Sequence, residues 1–168
     1  MGVPLTVRGR RQARGAADTL MRAGVRAPVR LLSSDQARAA ETASVIAARL
    51  EIDVEFSPLL REQALGCLEG RLTRELHPQP VPEGRDVSEV AWGGGETIEH
   101  VWRRAALFTE THLVDHPGDV VVVSHGTLIQ VFLSYLDGRG HRDVDWDVVV
   151  PNGAVITRPV PRAVPTRH

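Results

Sequence analysis

The stretch from Asp119 to Thr127, Asp-Val-Val-Val-Val-Ser-His-Gly-Thr, constrains the fold more than any other part of this chain. Four consecutive β-branched residues favour an extended backbone that is apolar on both faces, the pattern of a strand buried inside a parallel sheet. Ser124 and His125 stand where that strand must stop. After Gly126 a new apolar run, Leu128, Ile129, Val131, Phe132 and Leu136, follows at helical spacing. In open α/β sheets the carboxyl ends of the strands border the ligand crevice, and a helix starting just after Gly126 would aim its unbonded N–H groups at an anion held there. His125 and Gly126 are therefore candidates for a phosphate-binding turn.

Bulk properties narrow the alternatives. A chain of 168 residues, 42% hydrophobic, can bury one core and is short for two, so residues 1–168 are expected to form a single domain. A formal net charge of -1 gives no reason to expect nucleic acid or an anionic membrane as partner. All 20 basic residues are arginine, whose planar fork suits phosphate, although genomic base composition produces the same bias. The single cysteine, Cys67, excludes an internal disulfide framework and has no neighbouring histidine to activate it. No apolar run reaches membrane-spanning length, and the N-terminus lacks the order of a signal peptide, so a soluble cytoplasmic protein is expected.

Along the chain, Thr6 can cap a first helix over roughly residues 7 to 23, with Ala13, Ala16, Ala17 and Leu20 on one face and Gly24 ending it. Val29 to Leu32 is a strand candidate leading into Ser33-Ser34-Asp35, good capping residues for a second helix carrying Ala39, Ala43, Ile46 and Leu50. Val54 to Phe56 is a further short strand. Ser57 to Gly95 is broken repeatedly by proline and glycine and reads as a long excursion over the sheet. Glu96-Thr97 opens a helix whose Ile98, Val101, Trp102, Ala105, Phe108 and Leu113 face the core until Pro117-Gly118, with Glu96 complementing its N-terminus and a place at the pocket edge as the alternative. Ala154 to Thr157 is a candidate last strand, and residues 159–168 read as a loose tail. Strands alternating with helices predict an α/β three-layer sandwich with a largely parallel sheet flanked by helices.

Two strand-to-helix turns carry the chemistry: Ser33 to Ala39, and Val123 to Gly126. If both open on one sheet edge, Arg38, about one turn inside its helix, reaches back to the site that His125 borders. A guanidinium and an imidazole facing one pocket would hold a dianionic phosphoryl group and absorb charge as it moves. Neither Ser33 nor Ser124 stands in the Gly-x-Ser-x-Gly elbow of a serine hydrolase.

The same residues carry a family resemblance. Leu5-Thr6 with Gly9 and Gln12-Ala13, Ser33-Ser34-Asp35 with Arg38-Ala39 and Glu41-Thr42-Ala43, Leu60 and Glu62 with Gly66 and Glu69-Gly70, Gly94-Gly95-Glu96, and Val123-Ser124-His125-Gly126 resemble, in order and spacing, the histidine phosphatase (phosphoglycerate mutase-like) superfamily. The resemblance runs from about residue 4 to residue 157. It implies a phosphohistidine mechanism that needs no metal or other cofactor: a histidine attacks the phosphoryl group, arginines and a second histidine stabilise its oxygens, a carboxylic acid protonates the leaving oxygen, and water releases phosphate. By position Arg38 and Gly126 would bind phosphate, His125 would be the second histidine and Glu62 the acid, with Glu69 a nearby alternative.

The family's nucleophile belongs to an Arg-His-Gly motif ending a first strand upstream of the segment matching Pro4-Leu5-Thr6, and this chain begins Met1-Gly2-Val3. The expectation is thus an N-terminally shortened domain with that first family strand absent, a gap in the sheet where it runs in relatives, and no nucleophilic histidine at the usual place. Neither His77, His100, His112, His116 and His141 nor the terminal Arg167-His168 replaces it. The leading reading is a phosphomonoesterase acting on a small phosphorylated metabolite. A non-catalytic module binding phosphate, or regulatory, and a mutase-type phosphotransfer are the alternatives. Oligomerisation is left open.

Overall fold

Short runs of β-branched and leucine residues make the sheet, and each is followed by a turn that leads away from it. The computed structural model describes residues 4–25, 29–71, 73–77 and 79–160. Strands β1 (Arg30–Ser33), β2 (Val54–Phe56) and β3 (Val120–Val123) pair in parallel in the order β2-β1-β3. The register sets Leu31 beside Val54 on one side and Val121 on the other. Side chains alternate across the pleat, so Leu31, Val121 and Val123 face one layer of helices while Leu32, Val120 and Val122 face the other.

The first layer is α1 (Val7–Ala23) and α2 (Ala37–Leu50), which pack Ala17, Leu20, Ala39, Ala43 and Ile46 onto the sheet. The Thr6 hydroxyl accepts the Gly9 N–H at 3.1 Å to start α1, and Gly24, left-handed at φ 64°, closes it. The second layer is α3 (Ile98–His112) and α4 (Gly126–Leu136), whose Val101, Phe108, Leu128, Val131 and Phe132 fill the opposite core. Phe108 and Phe132 meet edge to face with centroids 5.9 Å apart. The three layers and the parallel sheet are those expected from the sequence.

Between β2 and α3 the excursion is a chain of 3-10 turns, and its first part, at Leu60 and Glu62, reaches the carboxyl end of β3 and the start of α4. It is pinned to itself where backbone touches backbone. A Cβ on Gly66, at φ +54°, would stand 2.2 Å from the Gly93 carbonyl oxygen, and one on Gly95 would stand 2.0 Å from that of Ala64.

The structure adds to and in places corrects these expectations. Helix α2 begins at Ala37 with Gln36 as its cap position and no side-chain cap, because the serines and aspartate before it are bonded elsewhere. Ala154 to Thr157 is not a strand: no described segment pairs with it, and the segment is held instead by Val155 packing on the α1–α2 core. Trp102 is only half-buried, edge-on to Tyr135, with its ring N–H donating to the Arg139 carbonyl at 3.0 Å. In the tail, Val160 packs against the α3–α4 core, and residues 161–168, with Arg167 and His168, lie outside the described residues. The motif-bearing strands β1 and β3 pair directly along four residues, so no gap separates them; among the described residues β2 and β3 are both edge strands.

Candidate functional site

The order β2-β1-β3 means that the chain leaves β1 toward one side through α2 and reaches β3 on the other side through α3. That reversal opens a crevice at the carboxyl ends of β1 and β3, where α/β sheets bind ligands. Ser34 follows β1 and His125 follows β3, and they meet: His125 Nε2 lies 2.9 Å from Ser34 Oγ. The two crossover units therefore converge on one place. Ser34 Oγ also accepts the Gln36 N–H at 3.2 Å, while Ser33 Oγ donates to the Ser34 carbonyl at 2.9 Å. These contacts are why neither serine caps α2.

Arg38 is the second residue of α2, nearer the helix start than the sequence spacing suggested, and it is exposed. Its charge acts on His125. Burial is the main influence lowering the His125 imidazole below its ordinary value; Glu62 pulls it upward, and Arg38 and Arg104 push it further down. Two carboxylates, Glu62 and Asp35, and two guanidinium groups thus act on the His125 ring, with burial the largest influence.

Glu62 reaches the same place from the excursion. Its carboxylate accepts the N–H groups of Thr127 at 3.3 Å and Leu128 at 3.2 Å, and also that of Gln63 at 2.9 Å. Helix α4, whose cap position is His125, has no side-chain bond from its own cap residue, so Glu62 supplies the negative charge its N-terminus favours. Two of the N–H groups that sequence reasoning aimed at an external anion are therefore occupied by this carboxylate. Gly126, the first residue of α4, sits directly against it: a Cβ there would lie 4.0 Å from Glu62 Oε2.

The segment bearing Glu62 is fixed on two flanks. Toward α2, Arg61 pairs with Asp35 through two hydrogen bonds, and the Glu62 N–H donates to Gln36 Oε1 at 3.0 Å. The Arg61 hydrogen bonds are the main cause holding the Asp35 carboxyl below the usual range. Toward α3, Arg104 donates to the carbonyls of Leu59 at 2.6 Å, Arg61 at 3.1 Å and Glu62 at 3.5 Å. Arg104 is itself held by both oxygens of Glu96, at 2.7 and 2.9 Å. Burial works to raise the Glu96 carboxyl, but its bonds from Arg104 and the Ala64 N–H outweigh that and leave it below the usual range. Glu96 therefore ties α3 to the excursion, whereas Thr97, with His100, caps α3 in a reciprocal pair.

Sequence reasoning singled out Arg38, His125, Gly126 and Glu62, and the structure brings all four to the crevice. It passed over Arg104 and gave Glu96 only a helix-end or pocket-rim role. Nothing local marks Arg104, since Arg103 beside it looks the same in sequence and merely pairs with Glu99 on the helix surface. Glu69 is turned back to its own loop, accepting the Leu65 N–H at 2.7 Å. Cys67 is exposed and unpaired by any disulfide. Ser124 donates to the Leu60 carbonyl at 2.8 Å. His100 serves the α3 cap, His112 lies against Phe108, and His141 bonds Ser88.

A parallel sheet whose switch point carries an imidazole, an arginine and the start of a helix is an α/β arrangement suited to an anion. Residues 1–158 match the family model described as histidine phosphatase superfamily (branch 1), and the chain belongs to that superfamily. It is 33% identical over 141 residues to the protein named probable phosphoglycerate mutase GpmB of Proteus mirabilis, a match covering 80% of this chain and 64% of that relative. Phosphoglycerate mutase-like protein 4 of Arabidopsis thaliana is 31% identical over 77% of this chain and 59% of its own length. The chain thus spans less than two-thirds of the curated relatives it matches. Among solved structures, the mycobacterial glucosyl-3-phosphoglycerate phosphatase superimposes with a TM-score of 0.62 at 30% identity, covering 80% of this chain and 69% of that one. The same phosphatase in complex with inorganic phosphate superimposes with a TM-score of 0.60 at 28% identity, over 79% and 69% of the two chains.

Proposed function

We propose that the crevice at the ends of β1 and β3 binds the phosphoryl group of a small phosphorylated metabolite and that the complete site performs phosphomonoester hydrolysis. The observation carrying this reading is the meeting of His125 and Ser34, which joins the two strand-to-helix turns at the start of α4, with the charge of Arg38 felt at the His125 ring. Arg38 would supply a charge-assisted fork to the phosphoryl oxygens. His125 would donate to a phosphoryl oxygen or take up a proton as negative charge gathers there. The Gly126 N–H, at the start of α4, would add backbone polarity. Glu62, beside Gly126, would protonate the leaving oxygen only after taking up a proton itself, since as a carboxylate it accepts hydrogen bonds and donates none. The complex of the related phosphatase with inorganic phosphate supports the same ligand class here.

A second reading rests on one observation: among the described residues, His125 is the one histidine whose contacts lie in the crevice. That arrangement suits a phosphate-binding module without turnover. Titration of the purified chain with inorganic phosphate, beside an Arg38→Ala variant, tests the binding, and release of phosphate from a simple aryl phosphate tests the chemistry. Binding that needs Arg38 together with turnover that needs His125 supports the phosphatase. Binding without turnover supports the module, and no binding overturns both.

A further inference from the structure

We propose that Arg104 is a positioning residue for Glu62. Its guanidinium, locked by Glu96, grips three backbone carbonyls of the Leu59–Glu62 segment and thereby sets the Glu62 carboxylate on the N-terminus of α4 beside His125. The value of that placement for catalysis rests on the phosphatase reading above; the placement itself does not.

Three features of the geometry carry the inference. First, Arg104 is nearly saturated. Its Nε and Nη2 go to Glu96 and its Nη1 to the carbonyls of Leu59 and Arg61, with Nη2 also near that of Glu62. Only a planar fork can serve a carboxylate on one edge and a peptide segment on the other; a lysine ammonium in the same place has three donors at a single point. Second, the pair is two-thirds or more shielded from solvent, with 17% of the Arg104 side chain and 24% of Glu96 accessible, so its bonds are not diluted as those of a surface pair are. Third, Glu96 continues the grip beyond the arginine. Its Oε2 accepts the Ala64 N–H at 3.0 Å, its N–H donates to the Ala64 carbonyl at 2.7 Å, and its carbonyl accepts from Gln63 Nε2 at 2.9 Å. Residues 59 to 64 are therefore fixed from behind, and the front of that segment is Glu62 on α4.

The arrangement supplies its own reporter. Thr127 and Leu128 lie in the first turn of α4, where an N–H has no carbonyl of its own helix to bond. Their acceptor is Glu62. Their protection from hydrogen exchange therefore measures where Glu62 sits, whereas amides deeper in α4, such as Phe132, measure the helix as a whole.

The test is amide exchange of the full chain by NMR in Arg104→Lys, Glu62→Ala and the double variant. The lysine keeps the positive charge, so direct electrostatics on His125 change little. Losing one net hydrogen bond of about 1 kcal/mol predicts that Arg104→Lys lowers protection of Thr127 and Leu128 about fivefold while Phe132 is unchanged. In the Glu62→Ala background the same substitution should do nothing further at those two amides. Unchanged protection in Arg104→Lys would overturn the proposal. So would a uniform loss along α4, or an equal loss with Glu62 already removed. If Arg104→Lys does not fold cooperatively, Glu96→Gln, which loosens the lock and keeps the guanidinium, is read by the same criteria. Phosphate affinity is measured in parallel on the unaltered chain. Absence of phosphate binding with the exchange pattern as predicted would sink the functional reading and leave Arg104's positioning of Glu62 standing.

Discussion

Replacing Glu62 by glutamine should move stability and phosphate affinity in opposite directions. The side chain keeps its shape, but the negative charge at the start of α4 disappears and the bonds from Thr127 and Leu128, at 3.3 and 3.2 Å, become neutral ones. An anion at a helix N-terminus contributes about 0.3–1 kcal/mol. Charge-assisted bonds are roughly twice as strong as neutral ones, and these two are at the long end of the range. The sum is a loss of about 1 kcal/mol in unfolding free energy. For the ligand the sign reverses, because a carboxylate about 4 Å from a bound phosphate repels it by on the order of 1 kcal/mol even when screened as in bulk water. Inorganic phosphate should therefore bind Glu62→Gln roughly fivefold more tightly, with the gain shrinking as salt is added. Urea unfolding and isothermal titration at pH 7 and low salt measure the two quantities. A variant as stable as the parent, or one that binds phosphate more weakly, would refute the assignment of Glu62 as the resident anion of this site.

Further outcomes follow from other parts of the molecule. Burial holds the His125 imidazole below 6.5 in the fold, so the folded chain binds fewer protons than the unfolded chain between that depressed value and 6.5. Its contribution to stability is therefore complete above pH 6.5 and is lost as pH falls through the depressed value; His125→Gln should lose less stability than the parent between pH 7.5 and 5.5, and NMR titration of the ring should place its midpoint below 6.5. Phe108, fully buried between the α3 and α4 side chains, should cost about 3–5 kcal/mol when replaced by alanine, read as a lower urea midpoint with an unchanged slope. Gly95→Ala forces a Cβ to within 2.0 Å of the Ala64 carbonyl and should cost about 1–3 kcal/mol by the same measurement, because backbone rather than a pliable side chain must give way. An alanine variant at Gly15, which has nothing within 4 Å and lies inside α1, is the control and should be neutral or stabilising.

Elements whose signals are local were legible in the chain. Helix α1 runs over Val7–Ala23 as the Thr6 cap and Gly24 stop predict, and β3 covers the four valines. The meeting of the two strand-to-helix turns was legible too, since Ser34 and His125 each follow a strand, and parallel strands all present the same end to one crevice. Glu62's partners were not. A carboxylate sixty-five residues from the helix it caps leaves no periodicity or spacing to read, and the same holds for Arg104, which differs from Arg103 only in which way its helix turns it. Ala154–Thr157 shows the converse error: the residues favour a strand, but a strand exists only if a neighbour offers hydrogen bonds.

The sequence alone determined the three strands of the sheet, the four helices and which turns carry histidine, arginine and glycine, because backbone propensity, capping and apolar periodicity act over a few residues. Only the tertiary structure decided that a carboxylate occupies the N-terminus of α4 and that an arginine from α3 holds it there. Those contacts are made between segments far apart in the chain, and their geometry exists only once both cores have closed on the sheet.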